Sequence, residues 1–331
     1  MSSVGLNEFL YRTGLLKRGE KAVWTKLSGG VSSDIWRVDL PDKTVCVKRA
    51  LAKLKVEADW QAPTERNIYE WEWFRFVHEN FPGIVPRPVA HDPGMQMLAM
   101  EYLAPSDFKN WKAKLLKGET DAAFAANTGE TLGKIHARSA FDKKIATDFA
   151  TERLFYALRI EPYLLATAEK HAECAARIRE IAEQTLAARI ALVHGDVSPK
   201  NILIGRENPV FLDAETAWFG DPAFDLAFCL NHFLLKSAFQ PQFEKGYLDC
   251  FKSFAESYLH QVNWEQREAL EARAARLLPV LYLARVDGKS PVEYIRDEET
   301  KNKIRRTALK HIADPKTRLS EIAESGFIIS K

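Results

Sequence analysis

Short runs of alternating apolar and polar residues occupy much of the first hundred positions and predict β-strands. The predicted strands are Ala22–Leu27, Ile35–Leu40, Thr44–Arg49, Pro88–His91 and Met97–Glu101. Between the third and fourth strands, apolar residues from Ile68 to Val77 recur at helical spacing, which predicts a helix from about Pro63 to Phe81. The order of three strands, one helix and two strands predicts a five-stranded antiparallel sheet with one helix on a face.

From Leu103 onward the apolar spacing becomes helical. The predicted helices are Phe108–Lys117, Asp121–Ser139, Thr151–Arg159, an alanine-rich stretch from about Pro162 to Arg189, and further helices after position 220. Short β-segments are predicted at Ile190–Val193, Asn201–Gly205 and Val210–Asp213. The pattern therefore predicts an α+β protein with two lobes, a sheet-rich lobe at 1–102 and a larger, mainly helical lobe at 103–331.

Composition and charge narrow the possible partners and compartments. The chain has 331 residues and a net charge of +2, with no run of like charges, so nothing favours a nucleic-acid or membrane surface. Its four cysteines are scattered without metal-ligand spacing, which is typical of a reducing interior. The first twenty residues do not resemble a signal peptide. We therefore expect a soluble cytoplasmic protein.

The most informative motif is the segment from His194 to Asn201, called here the His194 loop. It reads HGDVSPKN and has the spacing H-x-D-x-x-x-x-N, close to the catalytic loop of protein kinases. Asp196 is predicted to accept the proton of an acceptor hydroxyl, and the side-chain oxygen of Asn201 to bind a magnesium ion. His194 is predicted to support the loop. The alternative is a polar turn between two strands.

A second acidic motif follows at the end of an apolar β-segment. Asp213 and Glu215 form the pattern D-x-E, and magnesium prefers such hard oxygen ligands. Asp213 is the predicted ligand that bridges to nucleotide phosphates, and Glu215 a second ligand, direct or through water. The alternative is a pair of carboxylates that only caps a loop. With the His194 loop, the motif predicts that ATP and Mg²⁺ are the cofactors.

Lys48 is predicted to hold the nucleotide phosphates. It lies in the third strand, at the place of the strand lysine in protein kinases. Glu65, Glu70 and Glu72 are candidates to pair with it, and Glu70 is preferred because it shares a helix face with Phe74 and Val77. The alternative is an ordinary surface ion pair.

Two further segments are candidates for nucleotide contacts. The loop before the second strand contains Gly29, Gly30, Ser32 and Ser33, and its glycines would let the backbone approach phosphate oxygens. A plain hairpin turn is the alternative for this loop. The segment Glu101, Tyr102 and Leu103, which joins the two predicted lobes, is the other candidate.

Together these motifs resemble the aminoglycoside phosphotransferase and choline kinase superfamily, which has a two-lobed protein-kinase-like fold. A finer resemblance is to methylthioribose kinases. It rests on Trp60–Arg66, Tyr69–Glu72, Val85–Pro86, His91–Pro93, Met100–Leu103, the D-x-E motif and Ile304–Thr307. The resemblance implies ATP-dependent phosphorylation of a hydroxyl group on a small molecule.

The resemblance also implies roles for individual residues. Asp225 would fix the His194 loop through backbone hydrogen bonds, and Arg305 and Arg306 would contact the substrate. Trp218 is a further substrate candidate, because an aromatic face suits the C–H surface of a sugar. Asn201 and the segment Ser198–Lys200 depart from the methylthioribose kinase pattern. The acceptor is therefore left open among sugar-like, polyol, aminoglycoside and amino-alcohol compounds.

Two other hypotheses remain for the chain as a whole. One is a pseudokinase-like regulatory protein that binds nucleotide without turnover. The presence of Lys48, Asp196, Asn201 and Asp213 argues against it. The other is a protein kinase, but no A-P-E signature follows Asp213. The sequence does not distinguish ATP from GTP, or a monomer from a homodimer.

Overall fold

A computed structural model describes residues 3–28, 32–51 and 63–324 of the chain. The chain divides into two compact units. The first unit comprises Met1–Phe108 and Val210–Thr216, and the second comprises Lys109–Pro209 and Ala217–Lys331. This division differs from the predicted boundary at 102, because the segment that carries the D-x-E motif packs with the first unit although it is distant in sequence.

The first unit contains the predicted five-stranded antiparallel sheet, which is confirmed. Its strands are β1 (Val23–Leu27), β2 (Ser33–Asp39), β3 (Thr44–Ala50), β4 (Pro88–Asp92) and β5 (Met97–Glu101). Their order in the sheet is β1-β2-β3-β5-β4. In β3, Val45, Cys46, Val47 and Lys48 are all buried, so both faces of the strand are covered.

One face of the sheet is covered by a helix that the sequence pattern did not predict. This helix, α1 (Ser3–Arg12), buries Phe9 and Leu10 in one apolar cluster with Val45 and Val47 of β3. Successive side chains of a β-strand point to opposite faces, so Cys46 and Lys48 lie on the face opposite to Val45 and Val47. Lys48 is thereby directed away from the apolar cluster that Val45 and Val47 form.

The predicted helix between β3 and β4 is α2 (Arg66–Asn80). Phe74 and Val77 are fully buried, and Glu70 shares their face as the helical spacing predicted. A buried carboxylate on this face requires a partner, since an unpaired charge costs much free energy to bury.

The second unit is mainly helical. Its helices are α3 (Trp111–Leu115), α4 (Ala122–Ser139), α5 (Lys143–Asp148), α6 (Glu152–Phe155), α7 (Ala166–Lys170), α8 (Ala175–Ala187), α9 (Ala223–Phe239), α10 (Glu244–His260), α11 (Arg267–Asp287), α12 (Glu298–Ala313) and α13 (Leu319–Glu324), with a π-helix at Tyr156–Leu165. The short strands of this unit are β6 (Lys109–Asn110), β7 (Ala191–Val193), β8 (Ile202–Ile204) and β10 (Trp218–Gly220), whereas β9 (Pro209–Phe211) lies almost entirely in the first unit. β6 pairs with β8, and β7 with β10, both antiparallel.

The prediction of one long alanine-rich helix from about Pro162 to Arg189 was wrong. The π-helix instead continues through Pro162, and a turn at positions 171–174 separates α7 from α8. Proline has no backbone N–H to bond to the carbonyl four residues earlier, so Pro162 favours a local departure from α-helix geometry. The turn is held by His171, whose Nε2 lies 2.8 Å from Asp287 Oδ2. The predicted helix at Phe108–Lys117 is also shorter than expected and begins only at Trp111.

The central helix of the second unit is α9. Every residue from Ala223 to Ala238 is buried, so the helix is enclosed by neighbours on all sides. It packs against α10 and α11. Within the described residues, no helix combines the length and the hydropathy that a membrane crossing needs.

Candidate active site

In the first unit, Lys48 joins two carboxylates. Its Nζ donates a hydrogen bond of 2.7 Å to Glu70 Oε1, and it also donates to Asp213 Oδ1. Lys48 and Glu70 are almost completely buried, whereas about a quarter of the Asp213 side chain is exposed (28%). Of the three glutamates considered from sequence, Glu70 is the one that contacts Lys48. Strand alternation in β3 and the helical face of α2 explain this pairing.

Burial and charge act in opposite directions in this cluster. Burial by itself lowers the pKa of Lys48, but the charges of Asp213 and Glu70 outweigh it and hold that pKa above its ordinary value. Burial raises the pKa of Glu70 to about 7, although Lys48 opposes the rise. We therefore treat Lys48 as a permanent cation, fixed by Glu70 and Asp213.

Asp213 has an unusual backbone conformation. Its φ of 65° lies in the left-handed region, which is uncommon for any residue other than glycine. Such strain persists where the surrounding structure over-determines it, and it clusters at functional sites. Here the turn that follows β9 places the carboxylate against Lys48.

Glu215, two residues later, is engaged by Arg66. The Nε of Arg66 donates a hydrogen bond of 3.0 Å to Glu215 Oε2. Arg66 is fully buried and also donates to the backbone carbonyls of Ser32, Leu51 and Pro63, at 2.6, 2.6 and 2.8 Å. Sequence reasoning gave Arg66 no role, although it belongs to the segment that carries the finer resemblance. Its place in that motif was the one signal available.

The remaining candidates of the first unit lie in two loops. Gly29 and Gly30 lie outside the described residues, as does part of the segment Trp60–Arg66. Ser32 and Ser33 are buried, and the Ser32 carbonyl accepts from Arg66.

The segment after β5 also lies in the first unit. Glu101 is exposed, and its Oε2 accepts a hydrogen bond of 3.2 Å from the backbone N–H of Arg87. The Tyr102 ring lies under the Arg37 guanidinium, 5.1 Å from the ring centroid, and Leu103 is half-buried. These three residues stay predictions as nucleotide contacts.

In the second unit, the His194 loop is anchored by Asp225 at the start of α9. Asp225 accepts hydrogen bonds from the backbone N–H groups of His194 and Gly195, at 2.7 and 2.8 Å. Gly195 has a φ of 77°, which disfavours a larger residue at this turn. The Nδ1 of His194 accepts from the backbone N–H of Asp196 at 3.1 Å. Both side chains are buried and hold the backbone of the loop.

Asp196 is surrounded by donors. Its Oδ2 lies 3.0 Å from Arg159 Nη2, 3.1 Å from Lys200 Nζ and 2.9 Å from Asn201 Nδ2. Two cations and an amide therefore stabilise the negative charge of this carboxylate. Arg159 comes from the π-helix, and sequence reasoning missed it because its helix precedes the loop without any motif. Single π-turns are rare and are often found at functional sites.

Each unit contains one oxygen-bearing side chain of the kind that a magnesium ion also bound by phosphate prefers. Mg²⁺ is usually held by one or two protein oxygens and completed by water and phosphate, rather than by a cage of side chains. In residues 3–28, 32–51 and 63–324, no group of three or more His, Cys, Asp or Glu residues could hold a metal alone. Asp213 offers a partly exposed carboxylate. Asn201 turns its amide nitrogen towards Asp196, which directs its carbonyl oxygen elsewhere.

The substrate candidates from sequence lie in different environments. Trp218 is fully buried and stacks on Phe155, with ring centroids 4.2 Å apart. Arg305 binds Asp287 through Nε and Nη2 at 2.9 and 2.8 Å and also contacts Glu298. Arg306 is exposed on α12. The contacts of Trp218 and Arg305 are those of packing and helix pairing, and as substrate contacts these residues and Arg306 stay predictions.

Comparison with known proteins finds distant relatives that are named methylthioribose kinases. The chain is 25% identical over 268 residues to a methylthioribose kinase of Cronobacter sakazakii, covering 72% of the chain and 61% of the relative. A methylthioribose kinase of Geobacillus sp. is 23% identical over 274 residues, covering 73% and 67%. The chain thus spans about three fifths of the length of the first relative.

Solved structures show the same fold at low identity. An amicoumacin kinase superposes with a TM-score of 0.58 at 12% identity, covering 96% of both chains. A choline/ethanolamine kinase family protein from Mesorhizobium loti superposes with a TM-score of 0.54 at 14% identity, covering 96% of this chain and 98% of that one. Both are kinases of small molecules by name, and the predicted protein-kinase-like fold is confirmed.

A family model decides the assignment. The model described as the phosphotransferase enzyme family matches residues 23–270, which is well over half of the chain. The matched residues include Lys48, Glu70, the His194 loop and the D-x-E motif. The chain therefore belongs to the phosphotransferase enzyme family.

Proposed function

We propose that this protein transfers the γ-phosphoryl group of ATP to a hydroxyl group of a small molecule. One observation carries the proposal: buried Lys48 is fixed by both Glu70 and the strained Asp213 in the first unit. A lysine so held suits the binding of nucleotide phosphates, because phosphoryl transfer depends mainly on positioning and on neutralising charge. Family membership supports the same reaction.

The residues of the first unit bind and orient the phosphates. Lys48 keeps its positive charge at neutral pH and donates to phosphate oxygens. Glu70 holds Lys48 in place through the 2.7 Å hydrogen bond. Asp213, with its partly exposed carboxylate, is the residue of this unit that suits Mg²⁺. When bound, Mg²⁺ would neutralise the phosphate charge that develops during transfer.

The residues of the second unit orient the acceptor. In the reaction, the acceptor oxygen forms a bond to the γ-phosphorus, the bond from that phosphorus to the bridging oxygen of ADP breaks, and the hydroxyl proton passes to Asp196. Arg159 and Lys200 hold the Asp196 carboxylate in position. Asn201 donates to Asp196 and is the residue of this unit whose oxygen suits Mg²⁺.

The acceptor and the compartment are further parts of the proposal. Relatives named for methylthioribose and similar folds named for amicoumacin and choline or ethanolamine all point to small hydroxylated acceptors. A need for ATP favours a cytoplasmic protein. Neither a monomer nor a homodimer is preferred.

The Asp196→Asn variant tests the proposal. We expect ADP release with a productive acceptor to fall by about 10²- to 10⁴-fold, because the proton acceptor is lost. Stabilisation by Mg²⁺ and ATP in a thermal-shift assay should be unchanged, since phosphate binding is assigned to the first unit. The matched control is Asp249→Asn, an exposed residue of α10 paired with Lys245.

Two results would contradict the proposal. Full activity of Asp196→Asn would remove the assigned proton acceptor. Nucleotide binding by the unchanged protein, without ADP release on any acceptor of a broad panel, would favour a nucleotide-binding regulatory protein instead.

A further inference from the structure

The central helix α9 buries five polar side chains, those of Asp225, Asn231, His232, Lys236 and Ser237, and the proposed reaction uses only one of them. Asp225 anchors the His194 loop. Asn231, His232 and Lys236 are also buried. Both amide atoms of Asn231 lack a hydrogen-bond partner among the described residues. Buried polar groups of this kind are costly unless they serve a purpose.

Among these groups, Lys236 is the one whose burial costs the most free energy. Its side chain is fully buried, and in the part of the chain that the structure describes no carboxylate lies within ion-pair distance of it. Its Nζ lies 3.4 Å from the backbone oxygen of His232 and 5.5 Å from the centre of the Tyr294 ring. Burial lowers the pKa of Lys236 to about 7. The Tyr294 hydroxyl also has no partner among the described residues.

Arg285 on α11 is a second cation for which the described residues offer no carboxylate within ion-pair distance. Its Nη1 donates to the Tyr163 hydroxyl at 3.2 Å and to the carbonyl and hydroxyl oxygens of Ser290 at 2.5 and 3.1 Å, and its guanidinium stacks 5.6 Å from the Tyr163 ring centre. Its Nε is buried and, within the described residues, has no hydrogen-bond partner. A guanidinium with unused donors suits a planar or tetrahedral oxyanion.

Within the second unit, a series of contacts connects the His194 loop to these cations. Arg159, which binds Asp196, lies over the rings of Tyr163 and Phe228 at 5.7 and 5.8 Å. Arg285 lies over the same Tyr163 ring. The Phe228 ring in turn contacts His232 at 5.7 Å. The Tyr163 ring therefore lies between Arg159, which binds Asp196, and Arg285 of α11, while Phe228 leads to His232, whose backbone oxygen is contacted by Lys236 Nζ.

Around Lys236 and Arg285, the positive charges of the described residues exceed the negative ones. Burial lowers the pKa of His232 far below its ordinary value, and the charges of Lys236, Arg285, Lys200 and Lys112 lower it further, so His232 is neutral. Lys200 is paired with Asp196, and Lys112 with Glu293. Lys236 and Arg285 remain without a negative partner among the described residues. A cationic acceptor such as an amino alcohol or aminoglycoside would be repelled here.

We propose that the acceptor carries an oxyanion, a carboxylate or a phosphate, which binds Lys236 and Arg285 while its hydroxyl is presented to Asp196. This inference rests on the proposed function and names the substrate class of the same reaction. The unpartnered hydroxyl of Tyr294, whose ring centre lies 5.5 Å from Lys236 Nζ, suits another hydroxyl of such a compound.

The test is an ADP-release panel at pH 6.5 with four groups of acceptors. They are hydroxy acids and sugar acids, phosphorylated sugars and polyols, neutral sugars including methylthioribose, and cationic amino alcohols and aminoglycosides. We expect the highest kcat/KM with one of the two anionic groups, and the better of the two identifies carboxylate or phosphate. A neutral or cationic acceptor with the highest kcat/KM overturns the inference and leaves the proposed kinase function intact.

A failure of the proposed kinase function can be distinguished from a failure of this inference alone. If no acceptor in any group stimulates ADP release while Mg²⁺ and ATP still stabilise the protein, the proposed function fails, and the inference fails with it.

Two lysine variants then test the assigned binding group. Lys236→Met should raise KM for the anionic acceptor by about 10- to 100-fold, the loss expected for a hydrogen bond to a charged group, with kcat and the KM for ATP nearly unchanged. Because the variant removes an unpaired buried charge, its melting temperature should rise, which excludes misfolding as the cause. Lys245→Met, on an exposed lysine of α10, is the control. An unchanged acceptor KM in Lys236→Met overturns the inference.

Discussion

Arg66 and Glu215 form a buried ion pair in the first unit, with Arg66 Nε 3.0 Å from Glu215 Oε2. The pair links α2 to the segment that carries Asp213, two residues before Glu215. Because Arg66 also donates to the carbonyls of Ser32 and Leu51, one guanidinium holds three separate segments of the unit. Glu215 therefore has a positioning role, whatever it contributes to metal binding.

Removing this guanidinium should destabilise the protein strongly. In Arg66→Met, a buried carboxylate and three carbonyl groups lose their donors, and we expect the free energy of unfolding to fall by about 3–5 kcal/mol. Urea unfolding followed by circular dichroism measures the loss. The control is Arg75→Met on the same helix, whose exposed ion pairs with Glu72 and Glu79 should contribute at most about 1 kcal/mol. Equal losses in the two variants would refute the assigned role.

Asp225 should affect turnover through the His194 loop rather than through nucleotide binding. Asp225→Asn replaces one acceptor oxygen by an NH₂ group that faces a backbone N–H, and an unsatisfied buried donor costs about 1–3 kcal/mol. We expect a lower kcat at an unchanged KM for ATP, together with a lower melting temperature. The lower kcat distinguishes this variant from a purely structural lesion such as Tyr247→Phe, which removes hydrogen bonds to Leu115 and Gln240. An increased KM for ATP with normal kcat would contradict the assignment.

Lys236 should make stability depend on pH. Its folded-state pKa of about 7 lies below the ordinary value of 10.5. Between these values the unfolded chain binds a proton that the folded chain has lost, so stability rises with pH over this range. We expect the free energy of unfolding to increase by up to about 1.4 kcal/mol per pH unit between pH 7 and pH 10, relative to Lys236→Met.

The comparison with Lys236→Met isolates this effect from neighbouring groups. The charged or titratable groups that act on Lys236 are Lys112, Cys229, Glu293 and Arg285. These groups are present in both proteins, so the difference between the two stability curves reports Lys236. Parallel curves from pH 7 to pH 10 would show that Lys236 keeps its proton throughout.

Much of the first unit followed from local patterns. The alternation of Val45, Cys46, Val47 and Lys48 placed the lysine on one face of β3, and the spacing of Glu70, Phe74 and Val77 placed the glutamate on the buried face of α2. The sequence pattern missed α1. Its apolar residues complete a cluster with strands that follow much later in the chain.

The second unit was less predictable. The spacing of Asp196 and Asn201 indicated the chemistry of the loop, but the alanine-rich stretch was predicted as one helix and contains a π-helix and a turn. Pro162 and the contact of His171 with Asp287 account for that difference. Periodicity reports the preferred local conformation, and it does not report which distant side chain will interrupt it.

The sequence by itself indicated the reaction class, because the His194 loop and the D-x-E motif each carry their chemical groups at a short, recognisable spacing. Only the tertiary structure decided which charges are compensated. Arg159 reaches Asp196 and Arg66 reaches Glu215 from elements distant in sequence, while Lys236 is buried with no carboxylate of the described segments within ion-pair distance. The reason is physical: local conformation depends on near neighbours along the chain, whereas burial and ion pairing depend on which segments the fold brings together.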